Sequence, residues 1–226
     1  MSPARLVIFD VDGTLVDSQD LIVAAQGMAF ASCGLLAPPR AEALSIVGLS
    51  LREAFATLAG PDAPVDRLAE AYKQAFHALR AQGREEPFFP GAREAVAALA
   101  SRPDVLLGVA TGKSRRGVAA ILERAGWEGV FTTIQTADDN PSKPAPDMLL
   151  AALRETGMAA RDAIMVGDTS FDVLMAKQAG VTPLGVDWGY HPTDALRAAG
   201  AAEIAQSFAD VLAFVQRSLS REPAHA

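Results

Sequence analysis

The chain reads as an α/β protein built on a doubly wound parallel sheet, and three observations predict this. Four short runs rich in Val, Leu and Ile, namely Leu6 to Phe9, Val105 to Ala110, Ala163 to Val166 and Val181 to Val186, each stop at a polar residue or a glycine. Continuous apolar runs of this length suit strands buried on both faces of a parallel sheet. From residue 91 onward the runs alternate with helical periodicity over 91–101, 115–125, 145–157 and 170–179, with a weaker strand over Phe131 to Thr136; this is the pattern of a doubly wound sheet. Residues 18–87 break the alternation, because Leu51 to Leu58 and Val65 to Leu79 are helix-like and no stretch there reads as a strand. Asp17-Ser18, an N-cap signal, and Pro87-Phe88-Phe89-Pro90-Gly91, a rigid turn, bound this helical insertion. The expected organisation is a discontinuous core, 1–17 with 88–226, and an inserted α-helical domain over 18–87.

Composition narrows the function. At 226 residues, half of them apolar, the chain can bury a substantial core. A formal net charge of −7 argues against a general nucleic-acid binder, since phosphate-backbone affinity needs clustered Lys and Arg. Cys33 is the single cysteine, which rules out an internal disulfide, suits a reducing compartment and is expected to pack in a buried helix. The opening run of MSPARLVIFD is too short for a signal-peptide core or a membrane span, and no later window supplies one. A cytoplasmic protein with a frayed end, SREPAHA, is expected, with no membrane association and no obligate protein partner.

In open α/β sheets ligands bind beyond the carboxyl ends of the strands, so the polar residues that end the apolar runs are the candidates for chemistry. Asp10 and Asp12, in DVDGT, are separated by one residue at a strand end. If the backbone is still extended there, both fall on one side, and two such carboxylates can divide the work of nucleophile and proton carrier. A calcium loop would place glycine sixth and glutamate twelfth, whereas Gly13 is fourth and Leu21 twelfth. Thr111 and Gly112, in ATGKS, put a hydroxyl and backbone amides ahead of a helix, a ready anion site. A nucleotide-binding P-loop needs a glycine where Leu107 stands; Gly108 is one residue out of place. Lys143 is pinned between prolines in SKPAPD. Asp168 and Asp172, in GDTSFD, could complete an oxygen-rich metal site with Asp10.

Together DVDGT, ATGKS, SKPAPD and GDTSFD resemble the haloacid dehalogenase superfamily, and the insertion resembles its helical-cap subgroup. The resemblance implies a Rossmann-like core, a mobile cap and a phosphatase acting on a small phosphorylated metabolite with Mg²⁺. It implies Asp10 as nucleophile and metal ligand, Asp12 as general acid/base with its main-chain carbonyl on the metal, and Asp168 as the third protein ligand. Thr111, Gly112 and Lys143 would hold the phosphoryl oxygens, with Asp172 supporting the metal. Halide-displacing and phosphonate-cleaving relatives lack an acid at the position of Asp12, and the mutase pattern wants an early cap histidine that Gln19 to Gly34 does not contain. Trp188-Gly189-Tyr190 adds a phosphoglycolate-phosphatase-like look. Pyrophosphatase, nucleotide or sugar-phosphate phosphatase and phosphoglucomutase remain as alternatives. Gln19, Gln26, Arg52 and His77 are candidate contacts for the leaving group, and Phe88 and Phe89 are expected to pack at the hinge.

Overall fold

A computed structural model describes residues 5–60 and 62–220. Six parallel strands, β1 (Arg5–Phe9), β2 (Val105–Thr111), β3 (Thr133–Thr136), β4 (Ala163–Gly167), β5 (Thr182–Val186) and β6 (Glu203–Ala205), form one sheet in the order β3-β2-β1-β4-β5-β6. Period-two alternation assigns the apolar side chains to two layers. Val7, Phe9, Leu107, Val109, Ile164 and Val166 enter a core on one face, while Leu6, Ile8, Ala110 and Met165 enter a core on the other. Burial on both faces is why these runs are continuously apolar. At about 1.5–3 kcal/mol for each fully buried aliphatic or aromatic side chain, they dominate the stabilisation of the sheet.

The expected strands and helices of the core appear within one or two residues: α5 (Ala92–Ala100), α6 (Arg115–Ala125), α7 (Asp147–Thr156) and α8 (Ser170–Ala179) follow in alternation, preceded by four helices of the insertion. Three elements were not anticipated. The edge strand β6 is only three residues long with one large apolar side chain, below the length at which a pattern registers. The helices α9 (Thr193–Ala199), before it, and α10 (Phe208–Leu219), after it, flank it in the chain; α10 packs Phe208, Val211 and Val215 into the first core.

Between β1 and α5 lie α1 (Gln19–Ser32), α2 (Arg40–Ser45), α3 (Leu51–Ala59) and α4 (Val65–Ala81), and the described residues there contain no strand. Two small cores hold them together: Phe30, Phe55 and Leu68 in one, Leu21, Ala25, Ala75 and Leu79 in the other. The two chain segments joining these helices to the sheet run side by side. Asp17 N–H donates to the Pro87 carbonyl at 2.8 Å and Phe89 N–H to that of Leu15 at 3.1 Å.

Two local expectations are corrected, and a third is not tested. Ser18 precedes α1, but its hydroxyl meets the Tyr190 hydroxyl at 3.1 Å and makes no cap to the helix amides. Cys33 is half-buried at the end of α1, on the margin of the Phe30 core, rather than inside a helix interface. Of the expected frayed tail, residues 221–226 lie outside the described residues. No helix among the described residues is long and apolar enough to cross a membrane.

Candidate active site

The sheet order places β1 at the point where consecutive strands begin to be laid down on its other side, the crevice at which such folds bind ligands. Asp10 follows β1, Thr111 ends β2, and Asp168 follows β4, so residues more than 150 positions apart converge at one rim. Asp10 is 1% exposed and Asp168 fully buried. Carboxylate oxygens of Asp10, Asp168 and Asp172 all lie within 4.8 Å of one another.

Each carboxylate is held differently. Asp10 Oδ1 accepts from Val11 N–H at 2.6 Å, while its Oδ2 sits 2.9 Å from Lys143 Nζ but off the line of a hydrogen bond, so that oxygen is buried without a donor aligned on it. Asp168 accepts from the Thr14 hydroxyl at 2.8 Å and from Tyr190 N–H at 2.9 Å. Asp172 accepts from Lys143 Nζ at 2.6 Å and, through its other oxygen, from the Thr169 amide and hydroxyl. The bond from the Thr169 amide, together with one from Asp172 N–H to the Thr169 hydroxyl at 3.3 Å, forms a capping box at the start of α8. The cap is therefore Thr169, and Asp168 is left to face the crevice.

Close packing of backbone against carboxylate sets the first loop. Gly13 has φ of +83°, and a Cβ there would lie 2.2 Å from Asp168 Oδ2. A side chain at this position would be strained twice, by its backbone and by the clash. Gly112 is constrained from the other direction, since a Cβ would meet the main-chain oxygens of Gly48 and Leu49 at 2.5 and 2.6 Å. The insertion thus rests its backbone directly on the loop after β2. Ser114, not Thr111, caps α6, accepting from Gly117 N–H at 3.2 Å; the Thr111 hydroxyl accepts from Lys113 N–H at 3.2 Å.

The charges do not balance at the rim. Three buried carboxylates share one buried ammonium, Lys143, which leaves two negative charges without a counter-charge in a low-dielectric setting. Burial, opposed by Lys143, pushes the Asp10 carboxyl up to about 6. Burial, with Asp172 and Asp10 nearby, raises that of Asp168 as well. For Lys143, burial works against the ammonium, but Asp10 and Asp172 outweigh it and raise its pKa. Two surplus charges, all-oxygen donors and an orphaned Asp10 oxygen fit a hard divalent cation.

Asp12 lies outside this cluster and faces the cavity. Lys113 Nζ reaches both its carboxylate oxygens, at 2.9 and 3.1 Å, and lies 3.4 Å from the fully buried carboxylate of Glu86. Glu86 also accepts from Arg80 of α4, at 2.8–3.1 Å. Burial disfavours its charge, but Lys113 and Arg80 hold its carboxyl below the usual range. Lys113 and Glu86 were not singled out in the sequence. Lys113 stood within the quoted ATGKS, but Glu86 belongs to Arg84-Glu85-Glu86, which looks like a solvated turn.

The structure brings Asp10, Asp12, Thr111, Gly112, Lys143, Asp168 and Asp172 to one rim. It separates the cap candidates. Gln26 and His77 line the cavity, whereas Arg52 pairs with Asp66 on the exposed surface and Gln19 bonds Asp17 and Arg40 outside it. Phe88 packs edge-on to Trp127 at 5.2 Å and Phe89 lies 6.3 Å from Trp188, both at the junction. Trp188 donates to the Thr14 carbonyl at 3.1 Å, so the Trp188-Gly189-Tyr190 run braces the rim.

A family model described as haloacid dehalogenase-like hydrolase matches residues 7–186. A probable phosphatase of Dickeya dadantii, IndB, is 38% identical over 212 residues, spanning 92% of this chain and 91% of that protein. A phosphoglycolate phosphatase of Agrobacterium fabrum is 32% identical over 192 residues, spanning 82% and 81%. Among solved structures, a hydrolase from Pseudomonas syringae superposes with a TM-score of 0.83 at 27% identity, covering 94% of this chain and 98% of that one. The chain belongs to the haloacid dehalogenase-like hydrolase family and stands among its phosphatases.

Proposed function

We propose that the protein hydrolyses a small phosphate monoester in two steps through a phosphoryl group carried on Asp10. The observation that carries this reading is the Asp10 carboxylate itself: buried, charge-paired and retaining one oxygen without an aligned donor. That oxygen attacks phosphorus, forming an Asp10 O–P bond as the ester P–O bond breaks. Asp12 delivers its proton to the departing alkoxide, then takes one from the water that attacks the phosphoenzyme, which frees inorganic phosphate and restores both carboxyl groups. Thr111, the Gly112 amide and Lys143 hold the phosphoryl oxygens, where developing charge needs fixed donors.

Asp10, Asp168 and the Asp12 carbonyl would hold Mg²⁺, with Asp172 fixing Lys143 behind them. The ion, when bound, would neutralise the two surplus charges and let an anionic ester approach an anionic nucleophile. The helices over 18–87 serve as a cap whose paired connections act as the hinge, excluding bulk water while the acyl phosphate exists. Turnover of phosphate esters that stops with chelator and returns with Mg²⁺ is the expected result. Full turnover in metal-free buffer would contradict the reading.

A further inference from the structure

The space left for the leaving group has its own chemistry. A cavity of about 560 Å³ opens from Asp10 and Asp12 and runs beneath the helices of the insertion. That volume is within the range of roughly 300–1,000 Å³ typical of sites that enclose drug-sized molecules, whereas glycolate has only five non-hydrogen atoms. Its walls beyond the rim include the apolar and aromatic side chains of Ile22, Ile46, Val47, Phe55, Tyr72 and Phe76. Phe55 and Tyr72 meet edge-on at 5.8 Å, and Tyr72 and Phe76 follow at 5.7 Å, making a row of rings. The row starts at the chemistry, for Lys113, which holds Asp12, has its Nζ 4.9 Å from the centre of the Phe76 ring.

Charge points the same way. Two of the cations lining the cavity, Lys113 and Arg80, are committed to Asp12 and Glu86. The other two, Lys73 and Arg116, are exposed, where water screens them. A carboxylate on the leaving group would find no uncommitted buried cation among the described lining residues. A buried neutral amide also reaches this wall. Gln26 is 3% exposed and donates to the Ala43 carbonyl at 3.1 Å, while its Oε1 is buried with no protein partner, an acceptor suited to a hydroxyl or N–H.

We infer that the substrate is a phosphate ester of an uncharged, ring-bearing alcohol, its ring lying against Phe55, Tyr72 and Phe76, and not the ester of a small carboxylic acid. The inference rests on the phosphatase reading of the rim. It follows from wall chemistry: an apolar ring desolvates at a gain here, and a carboxylate would have to shed water for no paired charge.

The test uses the full-length protein with Mg²⁺ and three alkyl esters of comparable leaving-group chemistry: 2-phenylethyl phosphate, ethyl phosphate and 2-phosphoglycolate. Burying the ring should raise kcat/KM for the phenylethyl ester about 10- to 100-fold over the other two. The non-hydrolysable phosphonates, 2-phenylethyl- and ethylphosphonate, should show the same preference in Kd by calorimetry. Ala54→Phe, which fills the cavity from α3, should pull both ratios toward one. Equal kcat/KM for the three esters, or a preference for phosphoglycolate, overturns the inference and leaves the phosphatase reading standing. No turnover of any ester together with tighter binding of the phenylethyl phosphonate overturns the phosphatase reading and supports the ring site. Ratios unmoved in a folded Ala54→Phe protein also count against the site.

Discussion

At the sheet rim, Asp10, Lys143, Asp168 and Asp172 are almost wholly buried, each bonded to a partner far away in the chain or to a tight turn. Across the same cavity the insertion offers Phe55, Tyr72, Phe76 and Val47, largely apolar groups whose exact identity matters less than their volume. The difference shows how the molecule divides its tasks. Charge held in low dielectric must be placed to a fraction of an ångström and tolerates no substitute, whereas an apolar wall can be repacked at small cost. Substitutions at the rim should therefore act on rate and on ion binding by orders of magnitude, and those in the insertion on preference among substrates.

The largest effect is expected from Asp10→Asn, which removes the attacking oxygen and one negative charge from the cluster. Turnover should vanish at the detection limit, with the fold retained. Residual activity within a hundredfold of the parent would break the contrast between rim and wall.

Lys143→Met comes next. It leaves Asp10, Asp168 and Asp172 without the one ammonium that meets them among the described residues, and breaking a buried pair in this way costs about 3–5 kcal/mol. Urea unfolding in the absence of divalent ions should show that loss, and Mg²⁺ should recover part of it. A variant as stable as the parent would mean that the surplus charge is already relieved in some other way.

A smaller effect concerns pH. The folded-state pKa of Asp10 is raised to about 6 from a usual value near 3.8, so in ion-free protein its contribution to stability is full below the lower value and is lost as pH rises through the higher. Asp168 is displaced in the same direction. A divalent ion binds the ionised forms and competes with the proton. The rise in Tm caused by Mg²⁺ should accordingly be small at pH 5 and grow toward pH 7. A shift independent of pH, or largest at pH 5, would contradict this placement of the ion.

The smallest effect belongs to Arg52→Ala. Its pair with Asp66 is exposed on both sides, so stability should change by less than about 0.5 kcal/mol and the preference among esters not at all. A changed preference would move the substrate's path toward α3's outer face.

The same contrast governs what could be read from the sequence. β1 and β4 were legible because strands buried on both faces must be apolar throughout, and the rim residues because they stand where those runs stop. β6 was not, since Glu203-Ile204-Ala205 is too short to carry a period. The bond from Lys113 to Asp12 spans 101 residues and appears only when the loops after β1 and β2 are brought together. Glu86 was hidden by its charged neighbours, although it is the one buried member of its run. Arg52 and Gln19 were candidates by residue type alone; helix phase and local ion pairs turn them outward.

The covalent step at Asp10 is read by acid-quench mass spectrometry of the Asp12→Asn protein mixed with p-nitrophenyl phosphate and Mg²⁺. The phenolate leaves with little need of a proton, whereas attack by water still lacks its base, so phosphoenzyme should accumulate. One phosphoryl group per chain is expected, located on Asp10 and absent from the Asp10→Asn protein. A phosphoryl group found on another residue, or Asp12→Asn protein that turns over this ester at the parent rate without ever carrying one, would contradict it.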